Sequence, residues 1–229
     1  MLDVKHLQVA YGQSVVIPNL SFSAEEGQIV GIVGRNGMGK TTLFRSLIGM
    51  IPTVSGTFTV DSTELTHLPS YKRVSKGVAF VPQGRMIFPY LTVYENLISG
   101  VKGKVNKTAL DEIHTLFPIL QEMRKRKGGN LSGGQQQQLA IGRALMTNPK
   151  VLLLDEPTEG IQPSIIKDIS RSLRAIRDMK KLTIIVSEQV LSFVLDTCDR
   201  IAVMEKGQLI RQDPRESVDA AQIQAMLSV

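Results

Sequence analysis

The chain has 229 residues, of which 42% are hydrophobic and 21% charged, a balance typical of one sizeable globular α/β domain. Its net charge of +6 and pI of about 9.5 favour an anionic partner such as a polyphosphate, a nucleic acid or an anionic lipid. The single cysteine, Cys198, excludes an internal disulfide, and no signal peptide or apolar run of roughly 20 residues is found, so we expect a soluble or peripheral protein.

The first part of the chain has the pattern of a β-region. Residues 2–33 alternate apolar and polar positions between turn signals and predict short, largely antiparallel strands. A further hairpin-like pair is predicted near 54–58, and residues 78–81 are predicted to form a buried strand.

Residues 34–42 match the phosphate-binding pattern G-x-x-x-x-G-K-[ST]. They follow the apolar run 28–33 and open a helix-like stretch that stops at Gly49, which is the strand–loop–helix context that this P-loop pattern needs. Glycines let the backbone wrap around phosphate oxygens, and free N–H groups point at the anion. The pattern predicts a nucleoside triphosphate site, rather than a glycine-rich turn with a surface lysine. It would be formed by Gly34, Arg35, Asn36, Gly37, Met38, Gly39, Lys40, Thr41 and Thr42, with the Lys40 charge on phosphate and the Thr41 hydroxyl on Mg²⁺.

The second half changes first to helices and then to buried strands. Residues 91–146 are mostly helical in pattern, with basic and glycine-rich interruptions at 124–134. The basic cluster 124–127 has no interleaved aromatic residues, so it is interpreted as a solvated face or loop rather than a base-stacking surface. Apolar strands at 151–154 and 182–186 flank a helix at 165–179, an order that predicts parallel pairing through a right-handed crossover. We therefore predict a mixed α/β core with an inserted helical block, roughly 84–147.

Two acidic residues end the strand at 151–154. Ligands of open α/β sheets bind beyond the carboxyl ends of the strands, where Asp155 and Glu156 are expected to lie. Asp155 is predicted to hold Mg²⁺, directly or through water, and Glu156 to orient and deprotonate an attacking water. The alternative is a simple acidic turn.

A second anion site is predicted at a helix start. Ser132, Gly133, Gly134 and Gln135 directly precede the helical pattern 136–145. They form a capping loop with exposed N–H groups, where the helix dipole is equivalent to roughly half a positive charge. The chain thus carries two separate phosphate-seeking sites.

The order of the P-loop, Gln83, the segment 131–135 and the segment 154–157 resembles the ATP-binding cassette (ABC) family over essentially the whole chain. The resemblance implies one ABC ATPase domain over residues 1–229: an α/β P-loop NTPase core, an antiparallel β subdomain and an inserted helical subdomain. It also implies ATP and Mg²⁺ as cofactors. In the family, two cassettes pair head to tail and hold each ATP between the P-loop of one and the signature loop, here 132–135, of the other. A second cassette is therefore expected.

The resemblance also assigns roles to residues outside the P-loop. Tyr11 resembles the aromatic residue that stacks on adenine, although a strand-end aromatic is the alternative. Gln83 resembles the glutamine that senses Mg²⁺ and the attacking water. Residues 85–90 would line the groove that receives the coupling helix of a membrane subunit, while Met86, Ile87 and Phe88 could equally be core.

Two positions depart from the family pattern. The switch histidine normally lies ten residues before an Asp-Arg pair, and counting back from Asp199 reaches Gln189. Glutamine can hydrogen-bond a γ-phosphate but cannot titrate. Gln162 stands where the loop after the acidic pair usually ends in Asp. Both departures favour a partner cassette of different sequence, with a homodimer as the alternative.

Finer resemblances concern the transported solute. Segments 34–37, 81–85 and 156–166, with the four glutamines 135–138, resemble the cassettes of branched-chain amino-acid-type importers. The stretches 129–145 and 161–164 most resemble the urea or short-chain amide branch, with a branched-chain or other amino acid as the alternative solute. This resemblance implies a peripheral subunit on the cytoplasmic face of the inner membrane, two transmembrane permease subunits and, indirectly, a solute-binding protein.

Two other ATPase classes fit the sequence poorly. A DNA-repair or chromosome-maintenance ATPase would carry a long coiled-coil insertion between Gln83 and Leu131, and a translation-associated protein would carry two cassettes. This chain has neither feature, so no nucleic-acid partner is expected.

Overall fold

The computed structural model describes residues 1–228 and folds them into two β-sheets surrounded by helices. The strands are β1 (Leu2–Tyr11), β2 (Ser14–Ala24), β3 (Ile29–Val33), β4 (Thr53–Val60), β5 (Thr63–Glu64), β6 (Val78–Val81), β7 (Val151–Asp155), β8 (Thr183–Glu188), β9 (Arg200–Glu205) and β10 (Gln208–Pro214). The helices are α1 (Lys40–Leu47), α2 (Ser70–Ser75), α3 (Val93–Ile98), α4 (Lys107–Leu116), α5 (Pro118–Glu122), α6 (Gly133–Leu145), α7 (Pro163–Lys180), α8 (Leu191–Thr197) and α9 (Ala220–Ser228). Within residues 1–228, no helix combines the length and hydropathy needed to cross a bilayer.

The smaller sheet is antiparallel, in the order β2-β1-β4-β5. The predicted hairpin near 54–58 is wrong, because these residues lie inside the single strand β4 and the turn falls at Asp61 and Ser62. Gly56, which suggested the turn, has φ +91° and lies opposite an irregularity in β1. A Cβ at Gly56 would lie 2.4 Å from the carbonyl oxygen of His6, so the close approach of two strands explains this glycine.

The larger sheet has the order β10-β9-β3-β8-β7-β6, and its pairs are parallel from β9 to β6. The prediction of largely antiparallel strands in 2–33 fails for β3, which pairs parallel with β8 and β9 and is buried at every residue. Strands buried on both faces are near-continuously apolar, so alternation cannot identify them. The predicted parallel pairing of β7 and β8 around α7 is confirmed.

Helices α3 to α6 lie between β6 and β7, in the part of the chain predicted as the helical block 84–147. Their apolar faces share one core with the larger sheet. A Cβ at Gly142 of α6 would lie 3.0 to 3.2 Å from Leu97, Ile113 and Leu120, so α6 is packed tightly between α3, α4 and α5. The whole architecture agrees with the predicted α/β class.

A buried arginine connects the smaller sheet to α1. Arg73 is 2% exposed and donates hydrogen bonds to the carbonyl oxygens of Ser46 (2.7 Å) and Leu47 (2.8 Å), in the last turn of α1. It also donates to the carbonyl oxygens of Thr66 (2.6 Å) and Leu68 (2.8 Å) after β5. Burial lowers the pKa of Arg73. The guanidinium thus satisfies carbonyls that the end of a helix leaves unpaired.

Candidate active site

The P-loop joins the buried strand β3 to α1 at the carboxyl edge of the larger sheet. Gly37 and Gly39 have φ values of +80° and +103°, a region that L side chains rarely adopt. A Cβ at Gly34 would lie 2.6 Å from the carbonyl oxygen of Met204, so this position requires glycine as well. Helix α1 begins at Lys40 without a side-chain cap, which leaves the N–H groups of its first turn free for an anion.

A cavity of about 250 Å³ gathers polar groups from separate parts of the chain. It is lined by Val16, Asn36, Gly37, Gly39, Lys40, Thr41, Thr42, Gln83 and Glu156. Two larger grooves, of about 680 and 820 Å³, lie elsewhere and are lined by no P-loop residue. Of the other predicted P-loop residues, Arg35 and Met38 line a neighbouring cavity of about 440 Å³ toward β9 and α9.

Lys40 is anchored at the bottom of this cavity. Its side chain is 4% exposed, and its ammonium donates to the carbonyl oxygens of Gly34 (2.6 Å) and Arg35 (3.0 Å). The same nitrogen lies 3.2 Å from Oε1 of Glu156. The lysine charge is therefore fixed beside the loop and paired with a carboxylate.

Glu156 is the point at which the predicted catalytic residues meet. It follows β7 with φ +47°, and its backbone N–H donates to the Ser187 carbonyl oxygen at 3.0 Å. Besides Lys40, the amide of Gln83 donates to Oε2 at 3.3 Å and the amide of Gln189 donates to Oε1 at 3.0 Å. Gln189 also donates to Oδ1 of Asn36 at 2.7 Å, which connects the P-loop to this cluster.

Asp155 and Thr41 form a second polar pair at the same edge. Asp155 is 2% exposed, and burial raises the pKa of its carboxyl, opposed by hydrogen bonds from the hydroxyls of Ser187 and Thr41. Its Oδ2 is buried and has no hydrogen-bond partner among the residues that the structure describes. An orphaned carboxylate oxygen beside a hydroxyl fits Mg²⁺, which takes few protein ligands, keeps several waters and binds substrate phosphates. Residues 1–228 contain no group of three or more His, Cys, Asp or Glu side chains placed to hold a metal ion.

The predicted signature loop lies apart from this cavity. Ser132 caps α6, its hydroxyl accepting from the Gln135 N–H at 3.4 Å while the Gln135 side chain accepts from the Ser132 N–H at 3.0 Å. None of residues 132–135 lines the P-loop cavity. Gly134 faces α7, where a Cβ would lie 2.5 Å from Ile165. Tyr11, at the end of β1, is half-exposed and is also outside the lining of the cavity.

Two residues of the site were not predicted from the sequence. The hydroxyl of Ser187 donates a hydrogen bond to the Asp155 carboxylate. The buried carboxylate of Glu188 accepts hydrogen bonds from the backbone N–H and the hydroxyl of Thr158, two residues after Glu156. Burial raises the pKa of Glu188, and its hydrogen-bond donors oppose that shift. One sequence signal could have identified Ser187 and Glu188. They directly follow the apolar strand predicted at 182–186, so they are polar residues at the same sheet edge as Asp155.

Comparisons with known proteins agree with this geometry. The family model described as ABC transporter matches residues 17–159. The high-affinity branched-chain amino acid transport ATP-binding protein BraG of Pseudomonas aeruginosa is 38% identical over 216 residues, 93% of this chain and 92% of that protein. The lipopolysaccharide export system ATP-binding protein LptB of Escherichia coli is 33% identical over 214 residues, 91% of this chain and 88% of that protein.

Solved structures give the same result. A nucleotide-free ATP-binding cassette from an ABC transporter matches with a TM-score of 0.84 at 26% identity, covering 100% of this chain and 95% of that one. The ADP conformation of MJ1267, an ATP-binding cassette of an ABC transporter, matches with a TM-score of 0.83 at 27% identity, covering 100% and 94%. With a P-loop, an acidic pair and two glutamines gathered at one sheet edge, the chain belongs to the ABC transporter family and is an ATPase of that family.

Proposed function

We propose that this chain is the ATP-binding and ATP-hydrolysing subunit of an ABC importer. Closure of paired cassettes around MgATP, followed by hydrolysis and reopening, would drive membrane subunits between inward- and outward-facing states. The observation that carries the proposal is the convergence of Lys40, Gln83 and Gln189 on the carboxylate of Glu156, next to free amides at the start of α1.

Each side chain has a role that its contacts support. Lys40 and the P-loop amides neutralise and orient the phosphates, because phosphoryl transfer depends mainly on positioning and charge neutralisation. Glu156 accepts the proton of the attacking water, while Gln83 and Gln189 hold that carboxylate and the water. Thr41, Asp155 and Gln83 would hold Mg²⁺, which supplies charge neutralisation at the phosphates.

A second cassette would complete the nucleotide site. The capped loop 132–135 presents N–H groups at the start of α6 but lies outside the P-loop cavity of its own chain. It is therefore available to an ATP held by a neighbouring cassette, and Tyr11 would stack on the adenine. Gln189 and Gln162 favour a partner of different sequence over a second copy of this chain.

A permease segment would dock in a groove lined by Met86, Phe88 and Arg143, a cavity of about 340 Å³. Met86 and Phe88 are 63% and 47% exposed, whereas Ile87 packs against the core. The Arg143 guanidinium lies 5.2 Å from the centre of the Phe88 ring and donates to the Met86 carbonyl oxygen at 2.8 Å. An apolar groove held open by a fixed arginine suits an apolar helix end, and it would make the chain peripheral to the cytoplasmic face of the inner membrane.

The solute is proposed to be urea or a short-chain amide, on the resemblance of 129–145 and 161–164 to that branch. The alternative, a branched-chain or other amino acid, is supported by the 38% identity to BraG. Selectivity would reside in the permeases and a solute-binding protein, because the residues that line the ATP cavity serve nucleotide chemistry.

The test is purification of the chain from detergent-solubilised membranes with whatever remains bound to it. Phosphate release by that assembly is then measured with urea, acetamide, leucine or no solute, and the same assembly carrying Glu156→Gln gives the background. Stimulation by urea or acetamide supports the proposal, and stimulation by leucine supports the alternative. A chain that copurifies with no membrane protein contradicts the importer assignment.

A further inference from the structure

Glu188 is a buried acid that the proposed chemistry does not use. It is the last residue of β8 and is 2% exposed, yet none of the ion pairs formed within residues 1–228 involves its carboxylate. Its charge is instead met by hydrogen-bond donors. Oε1 accepts from the backbone N–H (2.9 Å) and the hydroxyl (2.6 Å) of Thr158. Oε2 accepts from the backbone N–H groups of Gln189 (2.9 Å) and Val190 (3.2 Å).

These donors belong to two different loops. Thr158 lies two residues after Glu156, and Gln189 is the residue whose amide donates to Glu156 at 3.0 Å. The two carboxylate oxygens of Glu188 therefore hold the loop of the base and the loop of the glutamine at a fixed separation. Without this carboxylate, three backbone N–H groups would lose their acceptor, and a buried donor left unpaired is destabilising.

We propose that Glu188 is a positioning residue for ATP hydrolysis: its carboxylate ties loop 156–158 to loop 189–190 and so keeps the Gln189 amide on the Glu156 carboxylate. The inference rests on the proposed roles of Glu156 and Gln189. Because the hydrogen bonds of the Glu188 carboxylate go to Thr158, Gln189 and Val190 rather than to the P-loop, its loss should affect the chemical step and not the binding of nucleotide.

The main test variant is Glu188→Gln in the complete transporter assembly. A glutamine has one acceptor oxygen, so whichever way the amide turns, its NH₂ faces the two donors of one loop and releases that loop. We expect kcat to fall about tenfold, with KM for MgATP unchanged within about twofold. Thr158→Val removes one of the four donors and should lower kcat about threefold, while Thr158→Ser keeps the hydroxyl and should restore it.

Thr197→Val is the matched control. Thr197 is 2% exposed, against 3% for Thr158, and its hydroxyl makes one buried hydrogen bond, 2.8 Å to Ser170, away from the site. It should lower the thermal midpoint but leave kcat unchanged.

The inference is overturned if Glu188→Gln and Thr158→Val keep kcat within twofold of wild type, or if Thr158→Ser is as slow as Thr158→Val. Should Glu188→Gln fail to fold, the three threonine variants decide alone. A wild-type assembly that does not hydrolyse ATP would speak against the proposed function, whereas an active wild type with unaffected variants speaks only against Glu188.

Discussion

Replacing Glu156 by glutamine removes one charge from the centre of the site and changes its shape very little. In the structure this charge is 3.2 Å from the ammonium of Lys40; the Lys40 side chain is buried, at 4% exposure, and that of Glu156 is only 9% exposed. At an effective dielectric constant of about 20, that separation corresponds to about 5 kcal/mol of Coulomb attraction, much of which is offset by desolvation of the pair. A phosphate that binds Lys40 must compete with this carboxylate.

The substitution should therefore separate binding from chemistry. Loss of a general base lowers rates by about 10²–10⁴-fold, or about 2.7–5.5 kcal/mol in activation free energy. Affinity for ATP should stay the same or increase, because Lys40 can then bind phosphate without first breaking an ion pair with a carboxylate. We expect an ATP-bound closed dimer with little hydrolysis.

Three assays test this expectation on the same preparations. Phosphate release by the assembly gives kcat, and calorimetric titration with ATP gives Kd, while gel filtration in MgATP detects the closed dimer. Glu159→Gln is the matched control, because Glu159 is three residues along the same loop and its side chain is exposed. Wild-type turnover in Glu156→Gln, or ATP binding weaker than in the control, would refute the reasoning.

Three further predictions follow from individual contacts. Lys40→Ala removes the ammonium from the phosphate cradle, so the Kd for ATP should rise at least about tenfold in calorimetry; unchanged affinity would count against the cradle. Gln189→His places an imidazole, with an ordinary pKa of about 6.5, beside Glu156, and kcat measured from pH 5.5 to 8 should gain a step that the wild type lacks. Burial lowers the pKa of His114, so the unfolded chain takes up the proton first and stability is lost as the pH falls below about 6.5. His114→Gln should reduce the drop in thermal midpoint between pH 7.5 and 5.5, and an identical drop would show that another group is responsible.

Local patterns predicted the P-loop well because strand, loop and helix are adjacent in the chain. The apolar run before Gly34 became β3, and the helix begins at Lys40, as the motif requires. The capping loop at Ser132 was equally local, and the structure adds the reciprocal hydrogen bonds between Ser132 and Gln135, which were not predicted. The roles of these residues in catalysis stay predictions.

Contacts between distant residues could not be read from the chain. The Lys40–Glu156 pair, the Gln189–Asn36 bond and the Glu188–Thr158 bonds all depend on the order of strands in the larger sheet. Glycine also gave a misleading signal at Gly56, because a close approach between strands and a turn both require a missing side chain. Only the partner strand distinguishes the two cases, and sequence spacing does not provide it.

The hydrogen bonds of Arg73 have a consequence for how the protein unfolds. Apolar residues of both sheets, such as Val4, Phe58 and Ile185, share one continuous core, and Arg73 fastens the end of α1 to the segment after β5. Neither sheet can detach without uncovering apolar surface of the other, and separating α1 from the segment after β5 would leave the carbonyl oxygens of Ser46 and Leu47 without their donor. The two sheets and α1 should consequently unfold as a single cooperative unit. A fragment that begins after β5 would lack most of this shared core and should not fold on its own.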